Sequence, residues 1–256
     1  MHGTSAITAI TAQNTVGVSA IHEVPPEMVL AQIRAVLADI GADAVKVGML
    51  GSAEVTLAVA AALAELPAGT PVVVDPVMVA ESGARLLAAD AQQALVREIL
   101  PRASVLTPNV PEARVLASYA AGAAAEASRS DEDEKLAAVA RAVLTLGPRA
   151  VVLTGGHRTS AVDLFLDAVT AEPVRIEGER HPDGAAHGSG CTHSSVLAAQ
   201  LALGRTPLQA ARLARQLAGE AVAHGLRDIG AGAGPVDVLD LARLRACLPS
   251  TPTRLP

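Results

Sequence analysis

"PVVVDPVM", Pro71 to Met78, decides the fold. Its valines do not alternate with polar residues, as they would in a half-exposed strand. A continuous apolar run between prolines is what a strand covered on both faces requires. An acid, Asp75, stands where the run stops, so the strand ends at a polar opening. Three other stretches repeat the pattern. "AVKVG" (Ala44–Gly48), "ASVLTP" (Ala103–Pro108) and "AVVLTGG" (Ala150–Gly156) are each short, apolar and closed by polar or glycine residues.

Helical patterns lie between these runs. Pro25 and Pro26 open "EMVLAQIRAVLADIG", which Gly41 stops. Ser52 is placed to cap "AEVTLAVAAALAEL". "AQQALVREIL" and a short segment after Pro111 read as helices. "EKLAAVARAVLTLG" follows an acidic Gly/Ala/Ser-rich stretch, "AAGAAAEASRSDEDE", expected to be a surface loop with a solvated "DEDE" face. "SAITAI" (Ser5–Ile10) and "VSAIHEV" (Val18–Val24) read as strands near the start. "VDLFLDA" and "EPVRIEG" read as a hairpin. Two helices, "SSVLAAQLALG" and "PLQAARLARQLAGEAVAHG", close the chain. Strand and helix alternation predicts an α/β fold: a mostly parallel central sheet between two helical layers. Residues 1–248 read as one domain and 249–256 as a Pro-rich tail.

Composition excludes several functions. Of 256 residues, 50% are hydrophobic and 18% charged, enough for a large core. Tyr119 and Phe165 are the only Phe, Tyr or Trp residues, which argues strongly against base-stacking platforms. The net charge is −6 and no basic block occurs, which argues against nucleic acid and anionic membrane as partners. No run is long and apolar enough to span a bilayer. Two cysteines far apart, Cys191 and Cys247, suggest reduced thiols in a cytoplasmic protein.

"AAHGSGCTHSSVL" (Ala185–Leu197) is the richest stretch chemically. Gly188, Ser189 and Gly190 free the backbone to turn amides inward, and a helical pattern starts near Cys191. A helix start has orphan N–H groups that suit a phosphate or a developing anion. Cys191 there is expected to have a lowered pKa and to serve as a base or nucleophile. The competing readings are a plain glycine turn, and a metal site made by His187, Cys191 and His193. In "TPNVPEA", Asn109 and Glu112 are three apart at a strand-to-helix turn. They are placed either to hold Mg²⁺ or to form a helix cap. Asp75 is placed to share that ion or to close a turn. In "LTGGHR" the glycines could run beneath a nucleotide or make a tight turn. Gln13 in "AQNT" could read a heterocycle edge. His2, His22, His181 and His224 read as surface or core residues, and Cys247 as packing.

The order of "TSAITAITAQNTVGV", "KVGML", "VVVDPVM", "LTPNVPEA", "VVLTGGH", "HGSGCTHS" and "GAGPVD" is more specific than any one of them. In that order they resemble the hydroxymethylpyrimidine/phosphomethylpyrimidine kinases of thiamine biosynthesis, in the ribokinase-like superfamily. The resemblance runs from Gly3 to Val238. It implies a three-layer α/β/α sandwich and two ATP-dependent phosphorylations, of 4-amino-5-hydroxymethyl-2-methylpyrimidine and of its monophosphate. It implies that Gln13, Met49 and Val77 contact the pyrimidine, and that Asp75, Asn109 and Glu112 serve Mg²⁺. Thr154, Gly156 and Arg158 would face ATP. Gly188, Ser189, Gly190 and Cys191 would form an anion hole and base. A homodimer is compatible with the family.

The sequence departs from the family in three places. The family's opening strand, Gly/Ser-rich segment and helix would precede Gly3, so a truncated chain lacking a central strand is expected. Thr154 stands where many members carry Lys, with Arg158 nearby. "GSGC" replaces the commoner "GTGC". Two further readings follow: a pyridoxal kinase, which phosphorylates a similar hydroxymethyl on a six-membered heterocycle, and a non-catalytic pyrimidine-binding or regulatory protein.

Overall fold

The computed structural model describes residues 2–78, 86–120, 132–155, 162–170, 172–182 and 184–240. Gly156, Arg158, Cys247, the Pro-rich tail and most of the Gly/Ala/Ser-rich stretch lie outside them.

The strands are β1 (Ala9–Gln13), β2 (Val18–Glu23), β3 (Val45–Val47), β4 (Val72–Val74), β5 (Val105–Leu106), β6 (Ala150–Leu153), β7 (Asp163–Asp167) and β8 (Val174–Ile176). The helices are α1 (Pro26–Asp39), α2 (Ala53–Ala64), α3 (Ala89–Ala94), α4 (Val110–Ala117), α5 (Glu132–Leu144), α6 (Ser189–Ala202) and α7 (Pro207–Ala223). Past α3 the chain widens into a π-helical stretch, Leu95–Ile99, and then tightens into a 3-10 turn, Leu100–Arg102.

One six-stranded sheet runs without interruption in the order β3-β4-β5-β6-β7-β8. β3 to β6 pair in parallel; β6, β7 and β8 pair antiparallel. The mostly parallel sheet is therefore as the sequence predicts. β1 and β2 stay outside it and form a separate antiparallel hairpin. The first strand also begins later than expected, at Ala9 rather than Ser5.

Side-chain alternation makes the three layers. Val72 and Val74 of β4, Leu106 of β5, Val151 and Leu153 of β6, and Leu164 and Leu166 of β7 face a core shared with the helices α1 to α5. Val73, Val105, Val152 and Phe165 face the opposite core, against α6 and α7. Both sets are buried, which explains why the sequence shows no polar alternation. The second core is thin. Ala210, Ala211 and Ala214 of α7 meet Leu197, Ala198 and Leu201 of α6 there, so small residues allow the last two helices to lie close together.

Local chemistry sets the helix ends. The Ser52 side chain accepts the Val55 amide. Asn109 and Glu112 form a reciprocal capping box on α4, and Thr206 and Gln209 another on α7. The acidic run is solvated at Glu132 and Glu134, as expected, but the helix starts two residues earlier than the expected Glu134. Glu132, Asp133 and Glu134 are the first turn of α5, where the helix dipole favours acids. Asp133 pairs with Arg175 of β8, and Glu134 with Arg141.

Candidate active site

The parallel strands all point their carboxyl ends to one edge of the sheet, where polar side chains gather. Asp75 follows β4 and is 8% exposed. Its Oδ2 accepts the Ser194 hydroxyl at 2.9 Å and lies 3.5 Å from the Lys46 ammonium. Lys46 sits in β3 opposite Val73, so its side chain emerges on the α6 side of the sheet. Gly48 leaves room for it: a Cβ there would come within 2.7 Å of Nζ.

α6 enters this edge from above. Gly188 is its N-cap, at φ 88° and ψ 4°, a left-handed conformation that suits glycine. The helix begins at Ser189, two residues before the expected start at Cys191. The Ser189 amide bonds to the Ala186 carbonyl. The amides of Gly190 and Cys191 take no carbonyl partner among the described residues. They are the donors this helix end can offer an anion.

Cys191 is open to the crevice. Its thiol is shifted opposite to expectation. Loss of water around the sulfur raises it, Lys46 pulls it down, Asp75 pushes it up, and its own backbone N–H lowers it; the net effect is upward. The helix N-terminus does not outweigh desolvation here. Cys191, Lys46 and Asp75 thus share one electrostatic neighbourhood, whereas His187, Cys191 and His193 do not form a metal site. Among the described residues no three His, Cys, Asp or Glu side chains are gathered as a metal-holding group.

The Asn109–Glu112 pair is a cap. Asn109 Oδ1 accepts the Glu112 amide at 2.9 Å, and Glu112 Oε2 accepts the Asn109 amide at 3.0 Å. Glu112 Oε1 also accepts the Met78 amide at 3.4 Å, tying α4 to the segment after β4. Burial raises the Glu112 carboxyl to about 7 against these two amide bonds, with the Asp75 charge adding to the rise. Two carboxyl groups therefore face one region, one of them short of negative-charge stabilisation. That donor set fits a hydrated divalent cation shared with phosphate oxygens, the mode Mg²⁺ prefers, better than a cage of direct protein ligands.

Thr154 ends β6 beside Asn109, and its amide donates to the Pro108 carbonyl at 2.9 Å. The Gly155 amide donates to Asp163 Oδ1 at 2.9 Å, and a Cβ on Gly155 would meet the Val162 carbonyl at 2.0 Å. The substrate-facing set is more dispersed. Met49 and Val77 are half-buried after β3 and β4, and the Thr8 hydroxyl donates to the Met49 carbonyl at 2.8 Å. Gln13 is exposed at the far end of β1, in a shallow concavity of about 530 Å³ that also includes Asn14 and Ser19 but neither Met49 nor Val77.

Sequence reasoning missed Lys46, Ser194 and the buried Asp163–His193 pair. A charged residue within the apolar "AVKVG" run was the available signal for Lys46. Nothing local marks the others. His193 lies on the second turn of α6 with neither ring nitrogen hydrogen-bonded among the described residues, its Nε2 3.6 Å from Asp163 Oδ2. Burial lowers its pKa against the raising effect of Asp163.

A layered α/β/α sheet with a glycine-capped helix start at the edge where the strands end in an acid is the architecture of ribokinase-like kinases. Comparisons agree. The chain is similar to pyridoxal kinase from Staphylococcus aureus in complex with AMP-PCP, with a TM-score of 0.77 and 28% identity over 91% of this chain and 81% of that one. It is similar to phosphomethylpyrimidine kinase from Clostridium difficile 630, with a TM-score of 0.67 and 33% identity over 84% of each chain. It is 40% identical to a hydroxymethylpyrimidine/phosphomethylpyrimidine kinase of Haemophilus influenzae, over 94% of this chain and 87% of that protein. The family described as phosphomethylpyrimidine kinase matches residues 1–237. The chain belongs to the phosphomethylpyrimidine kinase family, and it is a phosphotransferase.

Proposed function

We propose that this protein uses ATP to phosphorylate 4-amino-5-hydroxymethyl-2-methylpyrimidine and then the resulting monophosphate. The observation that carries the reading is that Cys191, at the start of α6, shares one electrostatic neighbourhood with the Lys46–Asp75 pair at the sheet edge. The hydroxymethyl oxygen attacks the γ-phosphorus, the bond to the bridging oxygen breaks, and ADP leaves. Little covalent work falls to the protein in such a transfer. The two amides stabilise the negative charge on the transferring group. The Cys191 thiolate takes the alcohol proton, and Lys46 favours that thiolate. Ser194 and Lys46 orient Asp75.

Asp75 and Glu112 would hold Mg²⁺ through water, with Asn109 fixing Glu112. The ion would supply charge neutralisation for the ATP phosphates. Thr154, Gly156 and Arg158 are the residues proposed on the ATP side, and Gln13, Met49 and Val77 on the pyrimidine side. No helix among the described residues is long and apolar enough to cross a membrane; a cytoplasmic location, where ATP is available, goes with this reading. A homodimer does too. The β1–β2 hairpin leaves Ile10 and Val16 at 60% and 64% exposure, and sedimentation tests whether a second copy covers them.

The likeness to pyridoxal kinase favours one second reading, phosphorylation of pyridoxal. ADP release from Mg²⁺–ATP, measured with each substrate and with both in competition, decides between them. Turnover with the pyrimidine that Cys191→Ala strongly reduces supports the proposal. Preference for pyridoxal replaces it. Binding without ADP release would leave a regulatory protein.

A further inference from the structure

The segment Gly230-Ala-Gly-Ala-Gly-Pro235 has a two-residue rhythm. Residues 230–233 are exposed and Gly234 is buried, and at each of the three glycines an added side chain would meet a neighbour at too short a distance. Gly230, at φ +77°, would place a Cβ 2.1 Å from Thr15 Oγ1. Gly232 would place one 1.9 Å from the Thr15 carbonyl oxygen, and its amide donates to Thr15 Oγ1 at 3.3 Å. Thr15 is the tip of the β1–β2 hairpin, two residues beyond Gln13. Asn14 stiffens that tip, its side chain accepting the amides of Val16 and Gly17 at 2.9 and 3.0 Å.

The other end of the segment is bound to the anion hole. The His187 amide donates to the Gly234 carbonyl at 3.2 Å, and the Val236 amide to the His187 carbonyl at 3.0 Å. His187 directly precedes Gly188, the cap of α6. Gly234 is pressed against the Leu226 carbonyl and Ala185, where a Cβ would come within 2.2 and 3.1 Å.

We propose that Gly230–Pro235 is a latch that sets the substrate-facing hairpin and the phosphate-facing helix start together. Thr15 and Gly232 are its positioning residues. That the hairpin faces substrate rests on the reading of Gln13 given above; the mechanical coupling does not. Seating the hairpin over a pyrimidine and aligning the Gly190 and Cys191 amides then become one event.

Amide exchange followed by NMR on the full chain without ligand tests the coupling independently of activity. In Gly232→Ala the amides of β2 and those of His187, Ser189 and Thr192 are expected to exchange faster together, about tenfold. Thr15→Ala, which removes one hydrogen bond and no backbone, is the milder variant should the first fail to fold; about two- to tenfold is expected in the same two segments. Gly219→Ala, where no atom lies within 4 Å of the added Cβ, is the control. Acceleration confined to the hairpin, or absent from both segments, overturns the latch. If both segments respond but the parent releases no ADP with either substrate, the latch stands and the kinase assignment of Gln13 falls.

Discussion

The Ser194 hydroxyl donates to Asp75 Oδ2 across 2.9 Å, joining residues 119 apart in sequence. Two backbone carbonyls, of Gly190 and Cys191, also lie within 3.2 Å of that hydroxyl. A hydroxyl has one proton, and the carboxylate is the stronger acceptor. The bond therefore fixes the second turn of α6 against the end of β4, which brings the proposed anion hole close to the acid. Ser194→Ala leaves a buried acid with Lys46 as its remaining side-chain partner. It is expected to cost about 1.5–3 kcal/mol in urea unfolding, and to lower kcat more than it raises the KM for ATP.

With Cys191 as the proposed base, its raised thiol gives an expected pH response of the rate. A base must be ionised, and a thiol held above its usual range ionises only on the alkaline side. Turnover is expected to climb through that side, and Cys191→Ser to remove the climb. The loss at alkaline pH is expected near the low end for a general base, about 10²-fold, because a loose transition state asks little of it. A flat profile in the parent would exclude Cys191 as the base.

Glu112 gives a stability term of the opposite kind. Its carboxyl is raised from 4.5 to about 7, so the folded chain holds a proton that the unfolded chain releases. This stability is fully present below 4.5 and is lost as pH rises to about 7. The total is on the order of 3 kcal/mol. Glu112→Gln is expected to flatten that slope in unfolding curves taken across the window. The apparent affinity for Mg²⁺–ATP is expected to strengthen with pH over the same window in the parent, as the carboxylate forms.

His193 acts from the other side. Its lowered pKa means that the unfolded chain binds the proton first, below the ordinary value of 6.5. Stability is present above that pH and is lost as pH falls through the folded value. His193→Leu removes two unpartnered buried nitrogens and this acid sensitivity together. It is expected to be neutral or stabilising at pH 5 by about 1–2 kcal/mol, measured by urea unfolding at pH 5 and pH 8.

The parts of the fold legible in the sequence are those with a local cause. Val72–Val74 announces a strand with both faces covered, Ser52 a helix start, and Asn109 with Glu112 a cap. Each depends on residues within one or two turns of one another. The hairpin was harder. Its strands read as strands, yet nothing in Ala9–Gln13 says that it will pair only with Val18–Glu23 and stand clear of the sheet. The start of α5 lies two residues before the Glu134 that the pattern suggests, because the helix dipole favours acids there and Arg175 holds Asp133. In the site, Cys191 and Asp75 were legible from glycines and from a strand end. Ser194, Lys46 and Asp163 were not, since their partners arrive from distant strands. The direction of the Cys191 shift was missed for the same reason: a helix start is written in the sequence, and the crowding that dehydrates a sulfur is not.

The order of the sheet, β3 to β8 in the sequence in which they occur, has a consequence for how the molecule is made. Each strand can settle on its predecessor as it leaves the ribosome, with no vacancy to be filled later from further along the message. The crevice cannot be finished that way. Its roof is α6, and the segment that holds the hairpin tip lies 217 residues after Thr15. Nascent chains therefore carry the finished sheet before α6 and the segment that holds the hairpin tip have been made.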